Sequence, residues 1–448
     1  MAKRLRASRL WLCAGLWLAA AGAPPTPGAI ARAESGRARE SADPPVKERA
    51  LSDQFSSKLA PRPAYSIPVE PLGFGQPNAV YLGMRIAQVS LDFMGEDRLL
   101  FTFKVPSLLR RDAASSEERR IRAVVLGLPS GTVEAAAAWT VHDYNRYLWM
   151  LHNGHFLLRN EDNLLEGGTS LALKPFLQFP GPLLWLELDP TQQFMVTDSR
   201  EPVAEAHKAG AAAGSSKAAG SAGTTDASAP PQYVLRVMHR NPSQIILVSR
   251  IRSLIHLPIN STGYVEELRG SDSEWTLNFN NFTGGSRVIG EVQSACAPGE
   301  NFVSTGEMLV TACSDTGGDR LMAMTTGGRI LWEYLTPAAD IWPQLVLAAN
   351  GLRIARETLV TDSGTGPFNP PGSESVRGQL VRVFDAANGD LVLQLPIKSA
   401  LDGGGNVAIS PSGRRVAVLN GGAIEVYELP APPPLPAPPA FVNGQPAH

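Results

Sequence analysis

An all-β fold is predicted by three features of the sequence. From about residue 65 to residue 429, short apolar runs are separated by turn residues, with almost no helical periodicity between them. Hairpin-like units of two kinds alternate along that span. Their spacing suits one closed repeat architecture rather than two separate cores.

The N-terminus is basic (Lys3, Arg4, Arg6, Arg9), continues as an apolar run over residues 10–22, and reaches Ala31-Arg32-Ala33. That order is the order of an export signal with a small-x-small cleavage site. It makes 1–33 a signal peptide and Glu34 the first mature residue. The alternatives are an uncleaved anchor and a lipoprotein. The apolar run is short against the roughly 20 residues of a membrane span. Cys13 follows Leu12, where a lipid-modified cysteine normally follows Gly or Ala. Residues 34–62 are polar with scattered Pro and Ala and are expected to be disordered.

Residues 63–430 carry the strands. Residues 101–105 (FTFKV) alternate apolar and polar, as a half-buried strand does. Residues 147–151 and 156–158 flank Asn153-Gly154, which predicts a tight two-residue hairpin. Residues 245–248 (IILV) read as a buried strand. Residues 203–231 are Ala/Gly/Ser/Thr-rich with almost no large apolar side chain, so they are expected to be a disordered insertion. Residues 431–448 form a Pro-rich tail, expected to be extended and solvated.

The repeats decide the architecture. One unit is a strand, a short polar turn and a strand. It occurs at 89–102, 184–197, 345–355 and, most clearly, 407–419 (VAISPSGRRVAVL). The second unit is a strand, a Gly-bearing turn and a strand, at 124–133, 321–332 and 381–392. Two alternating hairpins make one four-stranded blade. Roughly 335 residues at about 45 per blade give about seven blades, with six or eight as alternatives. The fold class is therefore all-β, a single β-propeller. A closed ring leaves only short, protected sheet edges.

Residues 409–417 (ISPSGRRVA) resemble the inner hairpin of WD40-like bacterial propellers, and residues 324–334 (MTTGGRILWEY) are similar to the repeat of quinoprotein-like propellers. The resemblance covers about half of the strand region and implies the fold of an uncharacterised secreted propeller, without catalytic or ligand residues to carry over. The Trp-Asp dipeptide of WD40 blades is absent, as is the adjacent cysteine pair that quinone-dependent alcohol dehydrogenases set over their cofactor. Quinone binding is therefore not inherited, and no cofactor is expected.

Net charge is −2 with 18% charged residues, so no global basic field points to nucleic acid. No Gly-x-Ser-x-Gly, His-Glu-x-x-His or Gly-Lys phosphate loop occurs. His152 and His155 flank the Asn-Gly turn, with His142 nearby in sequence, but a solvated hairpin tip is the simpler reading than a metal site. Two mixed clusters are candidate recognition surfaces: Trp139, His142, Asp143, Tyr144 and Arg146; and Arg269, Asp272, Glu274, Trp275, Asn278 and Asn280. Packing between blades is the competing role for each Trp. Cys296 and Cys313 are the two cysteines left after signal removal and are expected to form a disulfide in an oxidising compartment, with two buried free thiols as the alternative.

The function predicted is a non-enzymatic binding or scaffold propeller of the bacterial cell envelope, periplasmic or secreted, expected to be a monomer. Its partner is a protein or another envelope component, with no nucleic acid and no membrane span in the mature chain. The alternative is a propeller hydrolase or lyase with its site at the central channel. Carboxylates or histidines converging on the channel would favour the enzyme; apolar and small residues would favour the binding module.

Overall fold

The computed structural model describes residues 49–50, 61–75, 89–105, 119–142, 146–201, 232–271, 273–314, 318–362, 375–397, 405–432, 441–442 and 445–446. The signal segment, the 203–231 insertion and most of the Pro-rich tail lie outside them.

Two short strands come first, β1 (Arg49–Ala50) and β2 (Tyr65–Pro68). Blade I follows as β3 (Val89–Phe93), β4 (Arg98–Lys104), β5 (Arg119–Gly127) and β6 (Thr132–Val141). Blade II is β7 (Leu148–Met150), β8 (Phe156–Asn160), β9 (Asn163–Gly167) and β10 (Lys174–Gln178). Blade III is β11 (Leu183–Leu188), β12 (Phe194–Glu201), β13 (Gln232–His239) and β14 (Gln244–Ile251). Blade IV holds β15 (Gly263–Arg269), β16 (Glu274–Asn281) and β17 (Ser286–Gln293). Its inner place is taken by residues 254–259, where Ile259 bridges Tyr264 and the Val265 N–H donates to the Pro258 carbonyl at 3.0 Å. Blade V is β18 (Gly299–Phe302), β19 (Glu307–Cys313), β20 (Asp319–Thr325) and β21 (Ile330–Leu335). Blade VI is β22 (Asp340–Leu347), β23 (Arg353–Thr361), β24 (Val376–Asp385) and β25 (Leu391–Ile397). Blade VII is β26 (Val407–Ile409), β27 (Arg415–Asn420) and β28 (Ala423–Glu428), completed by β2, which pairs antiparallel with β28. A separate small hairpin joins β29 (Phe441–Val442) to β30 (Gln445–Pro446).

The two kinds of repeat unit are the two halves of a blade. The polar-turn hairpins are the inner pairs β3–β4, β11–β12, β22–β23 and β26–β27, and the Gly-turn hairpins are the outer pairs β5–β6, β20–β21 and β24–β25. The N-terminal strand β2 supplies the rim of the last blade and so ties the two ends of the ring together. Arg49 and Ala50, within the segment expected to be disordered, pair in parallel with Tyr334 and Leu335 on the rim of blade V.

Seven apolar clusters lie between the seven neighbouring blade pairs, so the ring is closed by packing as well as by pairing. β4 shows how. Leu99, Phe101 and Phe103 pack toward blade VII, while Leu100 packs toward blade II and the Thr102 hydroxyl meets the Tyr147 hydroxyl at 2.7 Å. A middle strand covered on both faces reads as a nearly continuous apolar run. The 324–334 motif has the same packing role. Trp332 is 2% exposed and donates to the Ala386 carbonyl (2.7 Å), and the Tyr334 hydroxyl donates to the Gly389 carbonyl (2.7 Å), both reaching from blade V to blade VI. Gly389 has φ +71°, and a Cβ there would stand 2.6 Å from the Trp332 ring, so the turn needs glycine.

Six outer strands carry a β-bulge within their first four residues, with Glu134, Phe176, Ile246, Ile289, Leu331 and Val392 as the extra residue. A bulge increases local twist and breaks up a rim edge. Two expectations are corrected. The Asn153-Gly154 hairpin closes on Leu151 and His155, so its loop has three residues, ending on Gly154 at φ +76°. The run 245–248, expected to be buried, is exposed throughout on β14.

Candidate functional site

The inner strands surround a channel of about 1500 Å³. Each blade begins at its inner strand and ends at its rim, so all inner strands run in the same direction. Their N-terminal ends therefore share one mouth, and their C-terminal ends share the other.

Charged side chains line the channel wall, among them Asp92, Arg146, Glu187, His256 and Asp340. Arg146 stands just before β7, its Nε donating to the Leu148 carbonyl at 3.1 Å and its guanidinium 5.4 Å from the centre of the Trp149 ring. Burial lowers its pKa, and the charges of Asp92 and Glu187 act against that. Asp92, on β3, is pushed up by burial, opposed by a 2.5 Å hydrogen bond from the Ser90 hydroxyl and by Arg146. Glu187, on β11, meets His256 Nε2 at 2.7 Å. Burial alone depresses the imidazole; the Glu187 hydrogen bond and the charges of Glu187, Glu267 and Asp198 outweigh it and raise its pKa. Trp185 stands edge-on to His256 at 6.1 Å between ring centres and is 40% exposed.

Further acids surround this band. Asp198 is pushed up to about 6 by burial, against a backbone hydrogen bond from Ile255 and the His256 charge. Glu300 is raised by burial and by its hydrogen bond and charge interaction with Glu267, so that pair holds a proton at neutral pH. On the blade VI side Asp340, Arg356 and Arg382 form a buried network: Asp340 pairs with Arg382 and lies 3.5 Å from Arg356, which also reaches Asp319 at 3.6 Å. Burial brings Arg356 down to about 10 despite both carboxylates. Blade VII, in contrast, lines the channel with Val407, Ala408 and Ile409.

The predicted surface residues are dispersed. Trp139 is buried (6% exposed) against Phe156, ring centres 5.3 Å apart, which is the packing role. His142 shares a 3.0 Å hydrogen bond with Asn160 at a loop. Asp143, Tyr144 and Asp272 lie outside the described residues. Among the described residues of the first cluster, Arg146 alone lines the channel. Arg269 stacks over Trp275 at 5.7 Å, and the Trp275 indole donates to the Ser294 carbonyl at 3.0 Å on the β16 side of blade IV. His152 donates its backbone N–H to Gln192, and His155 pairs with Glu166 at 2.8 Å. Among the described residues no group of three His, Cys, Asp or Glu is placed to hold a metal ion.

Cys296 and Cys313 form the expected disulfide, with Cα atoms 5.6 Å apart, inside the usual range. Both cysteines line the channel, and the bridge joins the approach to β18 to the end of β19. Sequence reading missed Glu187, His256 and Asp340. The signal was present but thin: each is a single charge inside, or next to, an apolar inner strand.

No protein-family model matches the chain, and no curated protein matches it. Solved structures overlap it weakly. The β-propeller domain of the Trilobed protease from Pyrococcus furiosus aligns at 8% identity and a TM-score of 0.44, over 77% of this chain and 94% of that one. The Pyrococcus horikoshii acylaminoacyl peptidase aligns at 8% and 0.43 over 80% of this chain, which spans about half (53%) of the peptidase. Kuenenia stuttgartiensis hydrazine synthase aligns at 10% and 0.40, over 77% and 96%. At such scores these overlaps carry no argument, and the assignment rests on strand order: the chain is a seven-bladed β-propeller.

Proposed function

We propose that this chain is an exported binding module of the bacterial cell envelope, non-enzymatic, whose ligand docks against the charged band on the channel wall. The observation that carries the reading is the band Asp92–Arg146–Glu187–His256 beside the half-exposed Trp185. Its charges are already paired, which suits orientation and recognition of a polar ligand, and the indole offers an apolar platform. The export-type N-terminus and the disulfide agree with an oxidising compartment. Among the described residues no helix is long and apolar enough to cross a membrane. The propeller hydrolase or lyase has one observation in its favour, the Glu187–His256 pair, an imidazole oriented by a carboxylate at a cavity wall.

The test is thermal-shift screening of the processed chain against envelope solutes, together with capture from envelope extract. Arg146→Met keeps the apolar stem and removes the charge. A ligand that raises the melting temperature of the wild type and not of R146M supports the reading. Equal response of both proteins to every ligand found overturns the site. Conversion of a captured ligand, lost in His256→Gln, replaces the binding module by the enzyme.

A further inference from the structure

Blade III ends in a rim strand unlike those of its neighbours. In β14, Ile245, Ile246, Leu247 and Val248 are all exposed, between 36% and 53%, and among the described residues the strand pairs with β13 on one side only. The other rims are protected. β10 carries Lys174 and Pro175, β17 carries Arg287 and Glu291, β25 carries Pro396, β2 carries Pro68 and β6 carries Glu134. The end of the β21 rim, at Tyr334 and Leu335, is paired with β1 of the same chain. Charges, prolines and covering strands are how sheets block edge-to-edge pairing. β14 has none of these before Arg250. The bulge at Ile246 bends the strand but leaves its outer edge unpaired.

The pattern along that edge is symmetric. Four apolar residues are framed by Ser243 and Gln244 on one side and Ser249 and Arg250 on the other. With Ile246 as the bulged extra residue, an antiparallel copy of the same strand matches it about a two-fold axis: Leu247 falls opposite Leu247 of the partner subunit, Ile245 opposite Val248 of the partner subunit, and Gln244 opposite Ser249 of the partner subunit. The two copies of Arg250 fall at opposite ends, and the chain's net charge of −2 sets up little repulsion between copies.

We propose that β14 is a docking edge for β14 of a second copy of this chain, paired antiparallel about a two-fold axis. The pairing makes one eight-stranded sheet from two blades, satisfies the free backbone groups and covers apolar side chains on both faces. It replaces the monomer expected from sequence, and it rests on the rim of blade III, not on the channel. One strand pair covers less than the roughly 1,200 Å² of a standard interface, so association on the order of micromolar is expected.

The experiment is sedimentation of the processed full-length chain across the micromolar range, with a double variant, Ile246→Lys with Leu247→Lys, and with Val288→Lys on blade IV as the exposed control. The expected result is a concentration-dependent dimer, weakened at least tenfold in the double variant and unchanged in the control. A Gln244→Cys/Ser249→Cys variant should cross-link into covalent dimers on mild oxidation, which reports the register. A chain that stays monomeric throughout overturns the proposal, as does a dimer indifferent to the lysines. Dimers that appear only after residues 203–231 are deleted overturn it too, because the insertion would then be what covers the edge.

Discussion

Blades III and VI are built from the same two hairpins, yet their hydrophobicity and burial run in opposite directions. In blade VI all nine residues of β23 are buried, although the strand contains Arg353, Arg356 and Glu357. In blade III β14 is largely aliphatic and is exposed along most of its length. Position within the blade explains part of this, since β23 is clasped between two neighbouring blades and β14 is a rim. It does not explain all of it: β25, the rim of blade VI, buries Leu393, Leu395 and Ile397 against blade VII. Blade VI is thus a charged interior held by pairing, and blade III carries an apolar exterior left uncovered among the described residues.

The sharpest way to break this contrast is to remove an acid from the blade VI network. Asp340→Ala strands Arg356 and Arg382 without their shared carboxylate. The expected loss is about 3–5 kcal/mol, read by urea unfolding. A triple exchange to Asp340→Leu, Arg356→Met and Arg382→Met should recover most of it. A single exchange costing under about 1 kcal/mol would show that the network is not what holds this interior.

Blade V stands next to blade VI and depends on a covalent tie as well. Replacing Cys296 and Cys313 by Ala should cost about 3 kcal/mol in the chain-entropy picture for a loop of this size. Alkylation of the denatured wild type without reductant should leave both sulfurs unlabelled. Full labelling would remove the bridge from the account.

A third measurement compares the two blades by pH. Glu357, wholly buried in blade VI, is pushed up to about 8 by burial, opposed by a hydrogen bond from Asn406. In the unfolded chain it titrates near ~4.3. The folded protein holds this proton more tightly, so the associated stability is complete below the unfolded value and is lost as pH rises through about 8. Glu357→Gln should flatten the decline between about pH 5 and 8 and gain about 1 kcal/mol or more at the upper end. Asp198 in blade III, at about 6, acts with the same sign over a lower window, so Asp198→Asn should flatten the decline only up to about pH 6. Unfolding curves parallel to wild type at all pH values would count against both burials.

The smallest effect is expected at β14. Lysine at Ile246 and Leu247 should change the unfolding free energy of the monomer by less than about 0.5 kcal/mol each, as exposed positions do. A loss of several kcal/mol would mean that the strand is covered in solution and that the contrast with blade VI is smaller than the structure shows.

Much of the fold was legible because it is local. Residues 407–419 announce an inner hairpin through their turn and flanking apolar runs, and residues 381–392 announce an outer one, so blade number and blade order follow from counting. The candidate site was far less legible. Trp139, a recognition candidate whose competing role was packing between blades, packs in a core, while Asp92, Glu187 and His256 sit singly in or beside apolar strands and come together only across blades I, III and IV.

By itself, the sequence determined the all-β hairpin repeat, a count of about seven blades with six or eight still open, and the expectation of a Cys296–Cys313 bridge, because turn chemistry, alternation and cysteine number act over short stretches of chain. Tertiary structure decided the rest: that β2 closes blade VII across more than 350 residues, that Arg356 is buried beside Asp340, and that 245–248 faces water. These depend on which strand becomes a neighbour's cover once the ring closes. An apolar run carries no label saying whether a neighbouring blade will reach it, and a charge carries none saying that its partner waits on another strand.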